Sequence, residues 1–166
     1  MVPKLDAQTR ADLESIYQSM LWLRKQPNVT DSRARAWYSH VMAKSVVKRI
    51  RRFSGKVSNA ATKDLNGPLV LEHYKRMQTK LTNLVSTHHR KKTKSPGQFI
   101  SLVQKLERVH IVTRAENYAA RRANGDYRKA GIKLVQWSSV PSKRKTELWK
   151  SMLKGRVSNA NKFPSK

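Results

Sequence analysis

Apolar side chains recur every three or four residues along several stretches of the chain, and this spacing predicts amphipathic helices. A first helix is predicted over residues 5–25, with this apolar stripe: Leu13, Ile16, Tyr17, Met20, Leu21 and Leu23. A second is predicted from residue 31 to about residue 53, and a third from Pro68 to His88. A shorter helix is expected to begin at Ser95 and Pro96. Most of the chain is therefore predicted to be helical.

Two short stretches rich in β-branched and apolar residues predict strands instead. They are residues 109–113, which read Val-His-Ile-Val-Thr, and residues 132–137, which read Ile-Lys-Leu-Val-Gln-Trp. Between them, Thr113 and Glu116 have the spacing of a capping box, in which each side chain accepts a hydrogen bond at the start of a helix. The pattern therefore predicts a mainly helical α+β fold with a small sheet built from strands near 109–113 and 132–137.

The distribution of charge divides the chain in two. The sequence has 36 Lys and Arg against 10 Asp and Glu, a net charge of +26, yet its first 31 residues hold four of each sign. We therefore expect a neutral N-terminal helix in residues 1–31, suited to docking or dimerisation, and a basic domain in residues 32–166. Because so large a surplus repels itself, a polyanion is the expected partner, and nucleic acid, DNA or RNA, is the natural one.

Composition also excludes several classes of protein. The chain has no cysteine, so it has no disulfide, zinc ribbon or thiol chemistry. It has no apolar run of the roughly 20 residues that span a bilayer and no secretory signal pattern. We expect no membrane partner and an intracellular location, in the cytoplasm or nucleoid, or in the host cytoplasm if the gene belongs to a phage. A homodimer or protein partner is expected to use residues 5–25.

The predicted nucleic-acid contacts are side chains that can neutralise phosphates, together with one tyrosine placed among cations, where a base can stack on its ring. They are Lys48, Arg49, Arg51, Arg52, Lys56, His89, Arg90, Lys91, Lys92, Lys94, Arg121, Arg122, Tyr127, Arg128, Lys129, Lys143, Arg144, Lys145 and Arg156.

Candidate chemistry begins with a carboxylate beside an imidazole. Glu72 and His73 fall in the first turns of the predicted third helix, with Arg76 one turn further on. In a phosphoryl-transfer site, His73 would act as acid or base, Glu72 as its partner or a metal ligand, and Arg76 as a phosphate clamp. The structural alternative is that Glu72 favours the helix dipole and pairs with the cations that follow it.

The predicted strand at 109–113 supplies two further candidates. His110 lies mid-strand and Glu116 follows the strand's end. Each has a structural alternative: His110 as an ordinary strand histidine, and Glu116 as the capping-box residue. The sequence leaves the metal ligands and the cofactor unknown, with Mg²⁺ the expected ion for an endonuclease.

Three short motifs carry a resemblance. Leu71-Glu72-His73, then Val112-Thr113-Arg114-Ala115-Glu116, then Tyr127-Arg128-Lys129-Ala130-Gly131-Ile132 resemble the Glu-His, Val-Thr-x-x-Glu and Tyr-x-x-Ala-Gly-Ile motifs of small basic phage and bacterial proteins of nuclease-like type. The resemblance covers about residues 64–137 and gives weight to Glu72, His73 and Glu116.

Two functions follow as alternatives. The first is a small endonuclease of phage or mobile-element type that cleaves phosphodiester bonds, with Glu72, His73, Arg76, His110 and Glu116 as catalytic residues. The second is a non-catalytic DNA- or RNA-binding protein of ribosomal or nucleoid type, which fits the dispersed charge and the scarcity of carboxylates. A third reading makes the protein an interaction module that works through its first helix.

Overall fold

The computed structural model describes residues 4–42, 46–63, 67–73 and 76–165, without the side chains of residues 41 and 42. The chain forms two compact units that alternate along the sequence. A helical unit comprises Met1–Ile50 and Arg76–Glu107, and an α/β unit comprises Arg51–Lys75 and Arg108–Lys166. The second part of the helical unit is thus inserted, in sequence, between two parts of the α/β unit.

Helices and strands are interleaved along the described part of the chain. The helices are α1 (Ala7–Arg24), α2 (Asp31–Trp37), α3 (Val47–Ile50), α4 (Asn59–Lys63), α5 (Met77–Arg90), α6 (Pro96–Leu106), α7 (Arg114–Arg122) and α8 (Ser142–Leu148). The strands are β1 (Arg52–Ser58), β2 (Leu69–His73), β3 (Arg108–Thr113) and β4 (Leu134–Gln136). The π-helical turns Tyr38–Met42 and Trp149–Leu153 extend α2 and α8. The predicted α+β class, mainly helical with a small sheet, is confirmed.

The helical unit buries the apolar stripe predicted for the first helix. Asp6 caps α1, because its carboxylate accepts the backbone N–H of Thr9 at 2.7 Å. The stripe packs against apolar residues of α5 and α6, and the ring of Tyr17 stacks on Phe99 with centroids 5.4 Å apart. The helix predicted for residues 5–25 is therefore confirmed. The structure groups it with α2, α5 and α6 rather than apart from them, and its role in docking or dimerisation stays a prediction.

Two predicted helix boundaries are wrong. The second helix was expected to reach residue 53, but the last helical residue of that region is Ile50 and β1 begins at Arg52. The third was expected to begin at Pro68, but Leu69–His73 form β2 and the helix begins at Met77. Both misassigned segments pair with β3, so their backbone hydrogen bonds are made with a strand far away in sequence.

The described strands form one sheet in the order β2-β3-β1-β4. β1 runs parallel to β3, and the other two pairings are antiparallel. The strands predicted near 109–113 and 132–137 are confirmed as β3 and β4. Gly55 lies inside β1 with φ +79°, where the register between β1 and β3 shifts, and a Cβ there would come within 3.0 Å of the ring of Phe163.

One face of the sheet carries the core of the α/β unit. Alternate strand residues point to the same face, and the apolar set packs against α4, α8 and the turn after α8. This core includes Phe53, Val57, Leu71, Val109, Ile111, Ala61, Leu148 and Leu153. Within the described part of the chain, none of the helices combines the length and hydrophobicity needed to cross a bilayer.

Candidate functional site

The face of the sheet opposite this core is polar in the middle. Because neighbouring strand residues alternate between faces, all four strands place polar side chains on it: Arg52, Ser54, Lys56 and Ser58 of β1, Glu72 of β2, Arg108 and His110 of β3, and Gln136 of β4. The middle of this face is formed by the β1, β2 and β3 residues other than the two arginines. Two residues outside the strands belong with them: Glu116 bonds to Ser58, and the ring of Tyr127 contacts the ring of His110. We call the following set the polar face: Ser54, Lys56, Ser58, Glu72, His110, Glu116 and Tyr127.

Glu72 and His110 are cross-strand partners on β2 and β3, so their side chains leave the sheet on the same side. His73 is the partner of Val109 and therefore lies on the core face. The expected pairing of Glu72 with His73 at a helix start is thus not found. Arg76 is the N-cap residue of α5 and belongs to the helical unit.

His110 is held by neighbours from two elements. Its Nδ1 lies 2.5 Å from the Ser54 hydroxyl, and its ring meets the ring of Tyr127 with centroids 5.8 Å apart. Burial is the largest of the effects that, together with the positive charges of Lys56 and Arg108, lower the pKa of His110 to about 4. The imidazole is therefore neutral at neutral pH, where it orients its neighbours rather than attracting a phosphate.

Glu116 is fixed at the start of α7 by the predicted capping box, which is confirmed. Thr113 Oγ1 accepts the backbone N–H of Glu116 at 3.1 Å, and Glu116 Oε2 accepts the backbone N–H of Thr113 at 2.9 Å. The same carboxylate oxygen accepts the hydroxyl of the fully buried Ser58 at 2.5 Å. These bonds hold one carboxylate of α7 against β1.

The negative charges of two carboxylates, Glu72 and Glu116, act on the Tyr127 hydroxyl. Burial raises the pKa of Tyr127, and the negative charges of Glu72 and Glu116 raise it further. The phenol therefore keeps its proton at neutral pH. Its oxygen is buried, and no described residue forms a hydrogen bond with it. The protonated phenol is thus a buried donor without a partner among the described residues, a kind of group that is uncommon in folded proteins.

The described residues contain no group of three or more His, Asp or Glu side chains arranged to hold a metal ion. Mg²⁺ needs fewer protein ligands than that, because it commonly binds through one or two carboxylates together with waters and substrate phosphates. Glu72 and Glu116 are the carboxylates of the polar face that fit this requirement.

Most of the predicted nucleic-acid contacts are exposed, and they occur on both units. Those of the helical unit are Lys48, Arg49, His89, Arg90, Lys91, Lys92 and Lys94. Arg144 differs from the others, since only 7% of it is exposed. Its Nε and Nη2 donate to the Ala61 carbonyl at 3.1 and 2.9 Å, and its Nη1 donates to Glu147 at 2.9 Å. This guanidinium is directed into the α/β unit.

Sequence reasoning missed Ser54 and Ser58 because it did not predict β1. A signal was present: Ser54, Lys56 and Ser58 alternate with Phe53, Gly55 and Val57, which is the period of a half-buried strand.

Comparisons with protein-family models, with curated proteins and with solved structures found no match to this chain.

Proposed function

We propose that the protein binds nucleic acid and hydrolyses phosphodiester bonds at the polar face, as a small endonuclease. The observation that carries the proposal is that Glu72 of β2 lies opposite His110, whose ring contacts Tyr127, while Glu72 and Glu116 of α7 both act electrostatically on that tyrosine. Carboxylates are scarce in this chain, with 10 against 36 cations. Two of them close to one donor form the arrangement that hydrolysis of a phosphate ester needs.

Hydrolysis requires a water to attack phosphorus while the bond to the leaving oxygen breaks. In this site one of the two carboxylates, Glu72 or Glu116, accepts the proton of that water. If Mg²⁺ were bound, the same two carboxylates would hold it, and the ion would supply Lewis-acid polarisation of the phosphate. Lys56 neutralises part of the charge that develops on the phosphate oxygens, and Tyr127, which stays protonated, adds no negative charge beside the two carboxylates. His110, neutral and bonded to Ser54, positions Tyr127 through their ring contact. The leaving oxygen takes its proton from solvent.

Binding itself is supported by the charge. With six to ten phosphate contacts, affinity should fall by roughly 10³–10⁵ between about 50 and 200 mM salt, because each neutralised phosphate releases a condensed cation. An affinity that is flat across this range contradicts nucleic-acid binding.

A second candidate is a binder without catalysis, as in ribosomal or nucleoid proteins. It is favoured by the bonds of Glu116, which Thr113 and Ser58 already engage, and by the burial of His110. In that case the polar face is a hydrogen-bond network that stabilises the sheet, and the exposed cations bind the nucleic acid.

The opposite orientation of two sequence neighbours supplies a matched test. Glu72→Gln and His73→Gln change adjacent residues of β2 on opposite faces of the sheet. Both variants and the wild type are incubated with supercoiled plasmid and with structured RNA, in Mg²⁺ and in EDTA, and binding is measured in parallel. We expect Glu72→Gln to bind normally and lose cleavage, and His73→Gln to keep both.

Intact substrates with the wild type under every condition, together with tight binding, support the binder and reject the endonuclease. Cleavage that persists in Glu72→Gln rejects the assignment of the polar face as the catalytic site.

A further inference from the structure

A basic cavity lies in the helical unit, and four of the predicted nucleic-acid contacts form part of its lining. It encloses about 480 Å³ and is bounded by the C-terminal turns of α1, the end of α5 and the loop that follows α5. Its lining is Leu21, Lys25, His88, His89, Arg90, Lys92, Thr93 and Lys94. Four of these side chains are cations at neutral pH, and none is a carboxylate.

The wall of this cavity is fixed by buried hydrogen bonds. His88 is 5% exposed, and its Nδ1 lies 2.6 Å from the hydroxyl of Tyr17 on α1. That hydroxyl accepts the backbone N–H of Ser95 at 2.9 Å, which ties the end of the basic loop to α1. His88 Nε2 lies 2.9 Å from Gln98 Oε1 on α6. The cavity therefore keeps its form before any ligand binds, as ligand sites usually do.

The charge of the cavity is not balanced by its neighbours. The carboxylate of Asp31 is close enough to act on His89, but Asp31 is already bonded to Arg24. The exposed side chains of Lys25, Arg90 and Lys92 therefore bring like charges together around one space, which favours an anionic occupant.

The cavity also offers apolar surface. Leu21 forms part of its lining, and the aliphatic stems of the lysines can cover a flat ring. Trp22, 62% exposed, follows Leu21 and lies three residues before Lys25, so it shares a helix face with that lysine. An exposed indole beside cations is a stacking surface for a base.

We propose that this cavity takes one unpaired nucleotide of a nucleic-acid strand. The phosphates lie on Lys25, Arg90, Lys92 and Lys94, and the base extends past Leu21 to stack on Trp22. A paired base within a duplex cannot enter the cavity, so the site favours single-stranded or frayed segments. This inference rests on the nucleic-acid binding proposed above, but not on cleavage.

The test compares a fluorescein-labelled oligothymidylate with a fluorescein-labelled hairpin duplex, by anisotropy. The cavity variant Lys25→Gln/Arg90→Gln/Lys92→Gln removes three exposed cations, and the control Lys129→Gln/Lys143→Gln/Lys150→Gln removes three exposed cations of the α/β unit. We expect the control to weaken both probes to a similar extent. The cavity variant should weaken the oligothymidylate about tenfold more than the duplex.

Trp22→Ala separates stacking from charge, because it leaves the net charge unchanged. It should weaken the oligothymidylate by about 5- to 150-fold, the range expected when one base loses its aromatic partner, and leave the duplex unaffected. Equal losses for the two probes, in both the cavity variant and Trp22→Ala, overturn the nucleotide site while nucleic-acid binding stands. If the wild type binds neither probe, the proposed function fails with it.

Discussion

Glu72 and His110 lie directly opposite each other on neighbouring antiparallel strands, with their side chains on the same face of the sheet. His73, although covalently joined to Glu72, faces the core on the other side. The pair that can act together is therefore formed by strand pairing and not by proximity in sequence. This relationship decides which substitutions are informative.

Acid should destabilise the α/β unit through His110. The unfolded imidazole has a pKa near 6.5, and burial with Lys56 and Arg108 nearby lowers the pKa of the folded one to about 4. As pH falls from about 6.5 to about 4, the unfolded state binds a proton that the folded state does not, so the free energy of unfolding decreases. At about pH 4.5 the loss should reach about 2–3 kcal/mol relative to neutral pH.

The free energy of unfolding is measured for the wild type and for His110→Gln by hydrogen exchange of the β3 amides. The measurements are made in EDTA, at neutral pH and at the acid pH given above. The groups that face His110 are Lys56, Tyr127, Ser54 and the opposed Glu72. The acid loss should shrink in the variant, since glutamine does not titrate. Equal acid sensitivity of the two proteins contradicts the prediction.

The two roles of Glu116 can be separated by one pair of variants. Glutamine at this position still accepts the Thr113 N–H, so Glu116→Gln should remain within about 1 kcal/mol of the wild-type free energy of unfolding. Glu116→Ala removes the acceptor for Thr113 and Ser58 and should lose about 1–3 kcal/mol. Denaturant unfolding and plasmid cleavage are measured on both. If Glu116→Gln is stable and cleaves at the wild-type rate, the carboxylate has no catalytic role.

Neighbouring basic residues on α8 should behave oppositely. Arg144 is buried on the Ala61 carbonyl, so Arg144→Met leaves that acceptor without its donors and should lower the free energy of unfolding by about 2–4 kcal/mol. Lys143 is exposed, and Lys143→Ala should change stability by less than about 0.5 kcal/mol while weakening nucleic-acid binding. Thermal unfolding and anisotropy distinguish them. A stable Arg144→Met with weakened binding would place this guanidinium at the ligand instead.

The first helix should be needed for the helical unit to fold. Leu13 is fully buried in the core of that unit, so Leu13→Ala should lower its free energy of unfolding by about 2–5 kcal/mol. Trp22→Ala on the same helix is the control, with an expected change below about 0.5 kcal/mol. Hydrogen exchange of α5 amides measures both. Similar stability of the two variants would mean that α1 can leave the unit without harm.

Local sequence signals predicted the elements that depend on local contacts. The stripe of α1, the buried positions of α5 and α6, and the capping box of Thr113 and Glu116 all involve residues within one or two helical turns. The structure contains these elements because its tertiary contacts favour the same conformations as the local sequence signals.

The remaining elements depend on pairing with β3, a strand that is far away in sequence. Leu69–His73 has an apolar spacing that continues the stripe of α5, so the segment was predicted as helix, but its partners on β3 make it a strand. That error placed Glu72 and His73 close together on a helix turn, whereas a strand sends them to opposite faces. Ser54 and Ser58 were not predicted as site residues for the same reason, because the helix expected to reach about residue 53 conceals the start of β1.

The alternation of the two units along the chain has a consequence for their biogenesis. No single cut of the polypeptide yields both units intact, because the helical unit ends at Glu107 and the α/β unit has already begun at Arg51. During synthesis, β1 and β2 cannot pair with β3 until the α5–α6 segment between them has been made. The sheet therefore forms late, and its formation closes a long loop. Truncated transcripts or early proteolysis would therefore leave a positively charged chain whose strands lack their pairing partners.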